Sequence, residues 1–182
     1  GIYENTLLMV NTTVSGNTAA NHGGGVYISN GTASIYNSTI ANNDAGPFGG
    51  GFGGGFYVYA GTLALNSTIV GSNHASNNGP DVYDGSGGTA SFTDSFSLVG
   101  IADDSPFVPG TPNANFSYIG TASSPINPGL LPLGDNGGPT PTHAISFFSI
   151  ARDHGSNPLL FPVDQRFYSR IFGAQPDIGA YE

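Results

Sequence analysis

Four short stretches contain residue types that could hydrolyse a glycosidic bond: Thr93-Asp94, Asp103-Asp104, His154-Gly155 and Arg170-Ile171. That reaction uses two carboxyl groups about 5 to 10 Å apart, one as a general acid and the other as a base or nucleophile. The carboxylates would have to come from neighbouring turns of the chain and converge on one face. Whether the chemistry is possible therefore depends on the elements that position these residues.

The elements that would position them belong to a sequence repeat. Residues 23–43 read GGGVYISNGTASIYNSTIANN, and residues 53–73 read GGGFYVYAGTLALNSTIVGSN. Extending the comparison outward gives four copies at intervals of 26 to 30 residues. The copies open on Thr6, Thr32, Thr62 and Thr89, which should lie above one another.

Each copy contains short apolar runs rich in β-branched and aromatic residues. Three extended runs in 26 to 30 residues are typical of one triangular turn of a parallel β-helix. No copy can bury its inward face alone, so the copies must stack. The sequence therefore predicts one all-β domain over residues 1–182, a parallel β-helix with regular coils over 6–100. Over 101–182 we expect irregular, loop-rich coils, because eight prolines interrupt residues 101–141.

The composition excludes several classes of partner. Only 8 % of the residues are charged, against roughly 25 % in an average soluble domain, and the net charge is −9. The only cations are Arg152, Arg166 and Arg170, so a basic patch for nucleic acid or anionic membranes is not expected. There is no cysteine, hence no thiolate metal site, and no apolar run of about 18 residues to span a membrane. No cofactor is expected.

Asparagines recur after the first apolar run of the copies. Asn11, Asn37 and Asn66 take equivalent places in this alignment, where their amides could hydrogen-bond along the stack as a ladder. All three also begin an Asn-x-Ser/Thr sequence, as do Asn30 and Asn115, so all five are candidates for N-glycosylation. Asn30 and Asn115 are the better glycan candidates, because they fall in a turn and a loop.

The glycine clusters at residues 23–25 and 49–55 lack the lysine and the helix of a phosphate-binding loop. We interpret them as corners that need positive φ or close approach of stacked coils. The insertion GPFGGGF should protrude, with Phe48 and Phe52 partly exposed.

A calcium site is a further possibility, at Asp81, Asp84 and the DGSGG that begins there. The nonapeptide pattern of calcium-binding β-helices is not met, so a turn stabilised by an Asp side chain is favoured and no metal site is predicted.

One arginine near the end of the chain lies among apolar residues. Asp164, Asp177 and Glu182 are the natural partners of Arg166, and a partly buried ion pair that pins the last strand is expected. His143 is expected to pack and hydrogen-bond rather than to bind a ligand.

The same region carries a resemblance to a known family. The stretch NPGLLPLGDNGGPTPTHAISFFSIARDHG from Asn127, the VDQRF from Val163 and the final DIGAYE are similar to the C-terminal region of secreted bacterial choice-of-anchor Q domain proteins. Arg152, His154 and Phe167 depart from that pattern. The first three coils resemble the GGxI repeats of polymorphic outer-membrane proteins. These resemblances imply a right-handed parallel β-helix at a cell surface, with no catalytic residues to carry over.

The dipeptides named first also resemble, in their order, the motifs of polygalacturonases. Asp94 and Asp103 are only 9 residues apart, however, so they cannot occupy equivalent places on successive coils. We therefore expect a non-enzymatic extracellular protein with a structural or adhesive role. The alternative is a polysaccharide-active β-helix enzyme, a lyase or a glycoside hydrolase.

The first coil begins by Thr6 with Leu7 and Leu8, and no capping helix pattern precedes it. The two ends of a β-helix are different surfaces with unpaired backbone groups, which can join head to tail. The sequence thus predicts association with copies of itself, end to end, as an extracellular filament. An additional N-terminal segment of a longer adhesin is the alternative cover, and glycans or a neighbouring cell surface are further possible partners.

Overall fold

The computed structural model describes residues 5–182, and every regular element among them is a β-strand. The strands are β1 (Asn5–Val10), β2 (Thr13–Ser15), β3 (Thr18–Ala19), β4 (Val26–Ile28), β5 (Gly31–Tyr36), β6 (Thr39–Ala41), β7 (Asp44–Ala45), β8 (Phe56–Val58), β9 (Thr62–Asn66), β10 (Ile69–Gly71), β11 (His74–Ala75), β12 (Val82–Asp84), β13 (Ser91–Ser95), β14 (Leu98–Val99) and β15 (Tyr118–Ile119).

These strands form four parallel sheets, so each of the first three coils has four strands and not the three of the expected triangular turn. Sheet 1 has the order β1-β5-β9-β13, and sheet 2 the order β2-β6-β10-β14-β15. Sheet 3 is β3-β7-β11 and sheet 4 is β4-β8-β12. Each sheet thus takes strands from successive coils, so the predicted all-β parallel solenoid is confirmed, with about three turns.

The register confirms most of the repeat alignment. Thr6 pairs with Thr32, which pairs with Thr62. The predicted alignment of the fourth copy is wrong by two residues, because Thr62 pairs with Ser91 and not with Thr89.

A turn before β13 explains this difference. The Ser86 hydroxyl oxygen accepts bonds from the backbone N–H groups of Gly88, Thr89 and Ala90, at 3.2, 2.9 and 2.8 Å. Thr89 is therefore held in the turn, and the strand begins later than the sequence similarity indicates.

The register at the corner after sheet 1 shows that the alignment of the corner asparagines is also partly wrong. Tyr36 pairs with Asn66, so the residue equivalent to Asn37 is Ser67 and the predicted equivalence of Asn66 is wrong. The corner residues have left-handed backbone conformations, with φ of 47° at Asn11, 44° at Asn37 and 48° at Ser67. Asparagine tolerates this conformation better than most residues, which accounts for two asparagines at this corner.

The interior is filled by alternate residues of sheet 1 and by the inner faces of the other sheets. Ala33 and Ile35 of β5 and Leu63 and Leu65 of β9 are fully buried. Each such leucine or isoleucine contributes about 1.5 to 3 kcal/mol through removal from water. Stacking of the coils thus buries the inner apolar face that a single coil could not bury alone.

Sheet 2 is buried on both faces. Every residue of β6 and β10 is buried, and a second apolar cluster joins Ile69 and Leu98 to Ala151 and Ile178. Residues 126–182, which we call the C-terminal segment, therefore pack across the outer face of sheet 2. Its loops contain only isolated antiparallel bridges, such as that between Val163 and Ser169.

The glycine clusters serve both expected purposes. Gly23 has a φ of 67°, and a Cβ on Gly24 would lie 2.5 Å from the carbonyl oxygen of Gly54. In the insertion, Phe48 is 97 % exposed, whereas Phe52 bridges to the coil below and packs its ring 4.8 Å from that of Tyr83. The insertion thus protrudes at residues 47–50, whereas Phe52 is half-buried.

Candidate functional site

An amide ladder exists, but at different residues from those predicted. Asn17 Nδ2 donates to Asn43 Oδ1, and Asn43 Nδ2 donates to Asn73 Oδ1, both at 3.0 Å. Asn73 Nδ2 donates to Asp81 Oδ1 at 3.0 Å. These asparagines recur visibly as Asn-x-Ala in the sequence, which is the signal that could have identified the ladder.

The ladder ends on a buried carboxylate. Asp81 is 2 % exposed, and its Oδ2 accepts the backbone N–H of Ile101 at 2.8 Å. Burial raises the pKa of Asp81 to about 6, although its hydrogen bonds from Asn73 and Ile101 act in the opposite direction. Asp81 lines a cavity of about 250 Å³.

The corner asparagines hold the C-terminal segment instead of one another. Asn11 Nδ2 donates to the carbonyl of Val163 at 2.9 Å, and Asn37 Nδ2 donates to that of Ser156 at 2.8 Å. The Ser67 hydroxyl oxygen accepts the N–H of Ser156 at 2.9 Å. The ladder predicted for these asparagines is therefore wrong, because their left-handed corner directs the amides outward.

The five glycosylation candidates differ in accessibility. Asn37 is fully buried, so a glycan there is incompatible with the fold. Asn11 and Asn66 are half-buried, and the Asn11 nitrogen already binds Val163. Asn30 and Asn115 are exposed.

A groove opens between the first coil and the C-terminal loops. It has a volume of about 680 Å³ and runs between the corner of residues 10–15 and two loops, at residues 140–141 and 161–167. Leu133, Phe161 and Phe167 supply much of its apolar wall. A volume of this size is within the range of about 300 to 1,000 Å³ of small-molecule sites.

Uncharged polar groups cross this groove. The Thr13 hydroxyl donates to Gln165 Oε1 at 2.7 Å, and Gln165 Nε2 donates to the Thr140 hydroxyl at 2.9 Å. Asn11 Oδ1 is buried and has no hydrogen-bond partner among the described residues. The one charged residue of the lining, Asp164, is paired with Arg166.

His143 fixes the loop beside the groove. It is 2 % exposed, its Nδ1 lies 2.7 Å from the carbonyl oxygen of Leu131, and its Nε2 lies 2.8 Å from the Ser15 hydroxyl. Because a carbonyl only accepts, Nδ1 donates to Leu131. His143 thus joins a C-terminal loop to β2.

Arg166 binds residues at the C-terminal end of the chain. Its Nη2 lies 2.7 Å from Asp164 Oδ2, and its guanidinium carbon lies 3.6 Å from the ring centre of Tyr181. The carboxylates of Asp177 and Glu182 bind backbone N–H groups instead. Of the three predicted partners, Asp164 thus binds Arg166 through its carboxylate and Glu182 binds it through its main-chain oxygen, at 2.6 Å, whereas the Asp177 carboxylate binds elsewhere.

A second arginine, Arg170, is also buried. It is 1 % exposed, and its Nη2 donates to the carbonyl oxygens of Asp177 and Gly179 at 3.1 and 2.5 Å. Burial lowers the pKa of Arg170 and raises the pKa of Asp177 and that of Glu182. These groups fasten residues 177–182 to the preceding loop.

The acidic residues considered for hydrolysis have structural partners. Asp94 accepts bonds from the side chains of Asn113 and Asn115, and Asp103 accepts the N–H of Ala122. Asp104 accepts the N–H of Gly79 at 2.7 Å. Each carboxylate thus stabilises a loop.

The other two residues considered for hydrolysis are His154 and Arg170. The ring of His154 packs against Tyr118, with centroids 5.3 Å apart, and its Nδ1 bonds the carbonyl of Arg152. The Arg170 guanidinium is held by carbonyl oxygens, as described above. His154 and Arg170 thus each have partners of their own, which do not include the Asp94 or Asp103 carboxylate.

The two residues of the candidate calcium site, Asp81 and Asp84, bind different groups. Asp81 ends the amide ladder, whereas Asp84 Oδ1 accepts the N–H of Ser86 at 2.9 Å and lines an open groove with Asp103 and Asp104. Among residues 5–182, no group of three or more His, Asp or Glu is arranged to hold a metal ion.

Large apolar side chains are exposed mainly on the C-terminal loops. Among the described residues, eleven of the sixteen exposed large apolar side chains lie between residues 131 and 172. They are Leu131, Leu133, Phe147, Phe148, Leu159, Leu160, Phe161, Phe167, Tyr168, Ile171 and Phe172. We call these side chains the apolar loop set.

Comparison with protein-family models, with curated proteins and with solved structures finds no match for the chain. The fold alone therefore defines its class, a parallel β-solenoid. In the described part of the chain, no helix is long and apolar enough to cross a membrane.

Proposed function

We propose that this chain is a non-enzymatic module of an extracellular surface with a structural or adhesive role. In this proposal, the solenoid is a rigid support and the apolar loop set makes the contacts. The observation that carries it is the concentration of exposed apolar side chains, up to 92 % exposed at Phe148, in one loop segment. Adjoining exposed apolar side chains are typical of contact sites, and the rings of Phe147 and Phe148 in this set pack edge to face with centroids 5.2 Å apart.

The support for these loops is built to be rigid. The C-terminal segment is bonded to the first coils through Asn11, Asn37 and His143, and Ile178 packs on the outer face of sheet 2. Loops on a rigid scaffold can present side chains in a fixed arrangement, as binding loops commonly do. The similarity of DNGGPTPTHA and DIGAYE to choice-of-anchor Q domain proteins supports the extracellular location.

Surface variants test the adhesive role. Phe148, Leu160 and Phe172 are 84 to 92 % exposed, so replacing all three with serine should leave the unfolding temperature unchanged. We expect beads coated with this variant to adhere at least tenfold less to surfaces bearing mixed polysaccharide and protein. The matched control is Phe48→Ser, an equally exposed phenylalanine outside the apolar loop set. Equal adhesion of the triple variant and the wild type would refute the proposed contact surface.

The polysaccharide-active alternative has a specific basis, since Asp84, Asp103 and Asp104 line one open groove. Each of these carboxylates accepts a bond from a nearby backbone N–H, which favours a structural role. Incubation with pectin or alginate should therefore release no new chain ends. Turnover that is lost in Asp103→Asn would establish the enzyme instead.

End-to-end association is a separate part of the proposal. Within the described residues, all four sheets end on a strand of the first coil, β1, β2, β3 or β4. Strand edges of this kind pair readily with another chain. We expect light scattering and electron microscopy to show linear assemblies at high concentration. A stable monomer would count against assembly and leave a preceding segment of a longer chain as the cover.

A further inference from the structure

We infer that the groove between the first coil and the C-terminal loops is a binding site for a neutral oligosaccharide. The inference rests on the proposed adhesive function and names a ligand class for it. The groove has a volume of about 680 Å³, enough for a short saccharide.

The aromatic wall of the groove fits the apolar face of a sugar ring. Phe161 and Phe167 both line it and are 37 and 69 % exposed. Phe167 is held at a φ of 68°, a conformation that is uncommon for a bulky residue. The turn that holds it is closed by the bond from the Phe167 N–H to the Asp164 carbonyl oxygen, at 3.1 Å, so the ring is presented from a fixed backbone.

The polar groups of the groove fit hydroxyl groups. The Gln165 side chain links the Thr13 hydroxyl to the Thr140 hydroxyl across the groove, through bonds of 2.7 and 2.9 Å. The Thr140 hydroxyl accepts a bond from Gln165 and still has its own proton to donate. A sugar hydroxyl can accept that proton and donate its own to a further acceptor.

The groove offers no unpaired charge to a ligand, which favours an uncharged one. None of the three arginines lines it, and the one lining acid, Asp164, is already paired with Arg166 at 2.7 Å. An acidic polymer would find no free cation there, and a basic ligand would find no free carboxylate. Neutral saccharides are therefore favoured over uronic acid polymers and over basic peptides.

The test measures binding of defined probes to the full chain by saturation-transfer NMR and calorimetry. The probes are the neutral trisaccharides maltotriose, cellotriose and mannotriose, with trigalacturonic acid as the acidic comparison. We expect millimolar or tighter binding of at least one neutral probe and at least tenfold weaker binding of the acidic one. Phe167→Ala should weaken the neutral probe at least tenfold, and Thr140→Val about threefold or more.

The matched control is Phe48→Ala, an exposed phenylalanine that belongs neither to the groove lining nor to the apolar loop set. Binding should be unchanged in this variant. Absence of binding by all three neutral probes at 10 mM, or equal binding by Phe167→Ala and wild type, would overturn the inference. Self-association that is lost in Phe167→Ala would also overturn it, in favour of a second copy as the occupant. Adhesion through Phe148 and Leu160 is unaffected by either result, so the two proposals fail separately.

Discussion

Removal of one ladder amide should measure how strongly the ladder holds the coils together. Asn43 is 1 % exposed and its side chain makes four hydrogen bonds. Two come from the exposed Asn17, which can bond water instead, so they contribute little. The other two, to the carbonyl of Val14 and to Asn73 Oδ1, are 3.0 Å long and shielded from solvent.

The magnitude follows from these two bonds. Each contributes about 1 kcal/mol net, and the Val14 carbonyl left without its partner adds to the loss. Asn43→Ala should therefore lower the free energy of unfolding by about 2 to 3 kcal/mol. For a chain of this size, that corresponds to a fall of roughly 5 to 10 °C in the unfolding temperature.

The assay is urea and thermal unfolding followed by far-ultraviolet circular dichroism and tyrosine fluorescence, since the chain has no tryptophan. The matched control is Asn17→Ala at the exposed end of the same ladder, where we expect a loss of at most about 1 kcal/mol. Equal losses for Asn43→Ala and Asn17→Ala would refute the view that the buried bonds stabilise the stack.

Three further outcomes are expected. Because the folded pKa of Asp81 lies near 6 and its unfolded value near 3.8, the folded state binds the extra proton between these values. Stability should therefore fall by roughly 2 kcal/mol as the pH rises from 4 to 7, and urea unfolding of Asp81→Asn should show a flatter pH dependence. Ile178→Ala should cost about 2 to 5 kcal/mol by opening a cavity on sheet 2, measured by the same unfolding; a loss below about 1 kcal/mol would contradict the second core. Asn37→Ala should release the loop at Ser156, seen as faster amide exchange there, whereas unchanged exchange would contradict the outward amide bond.

The solenoid could be predicted from the sequence because each coil repeats its own local signal. The Asn-x-Ala triplets mark the ladder for the same reason, but its last member, Asp81, lies outside the repeat and is recruited by position alone. The one-residue error at Asn66 arose because asparagine stands on either side of the corner, as Asn37 in one coil and Asn66 in the next. Similarity of residue type could not distinguish the two places.

The groove could not be predicted at all. Asn11 contacts Val163, and Thr13 contacts Gln165, across 152 residues in each case. No local pattern encodes such a contact. A weaker signal was present in sheet 2, where the uninterrupted apolar or small runs of β6 and β10 are typical of strands buried on both faces.

The adhesive role is tested most directly by retention and turnover measured in one flow cell. Beads coated with the full chain are passed over a surface bearing mixed polysaccharide and protein, and the effluent is assayed for new saccharide chain ends. We predict that the beads are retained and that no new ends appear. Release of new ends, or retention no better than that of uncoated beads, would contradict a non-enzymatic adhesive module.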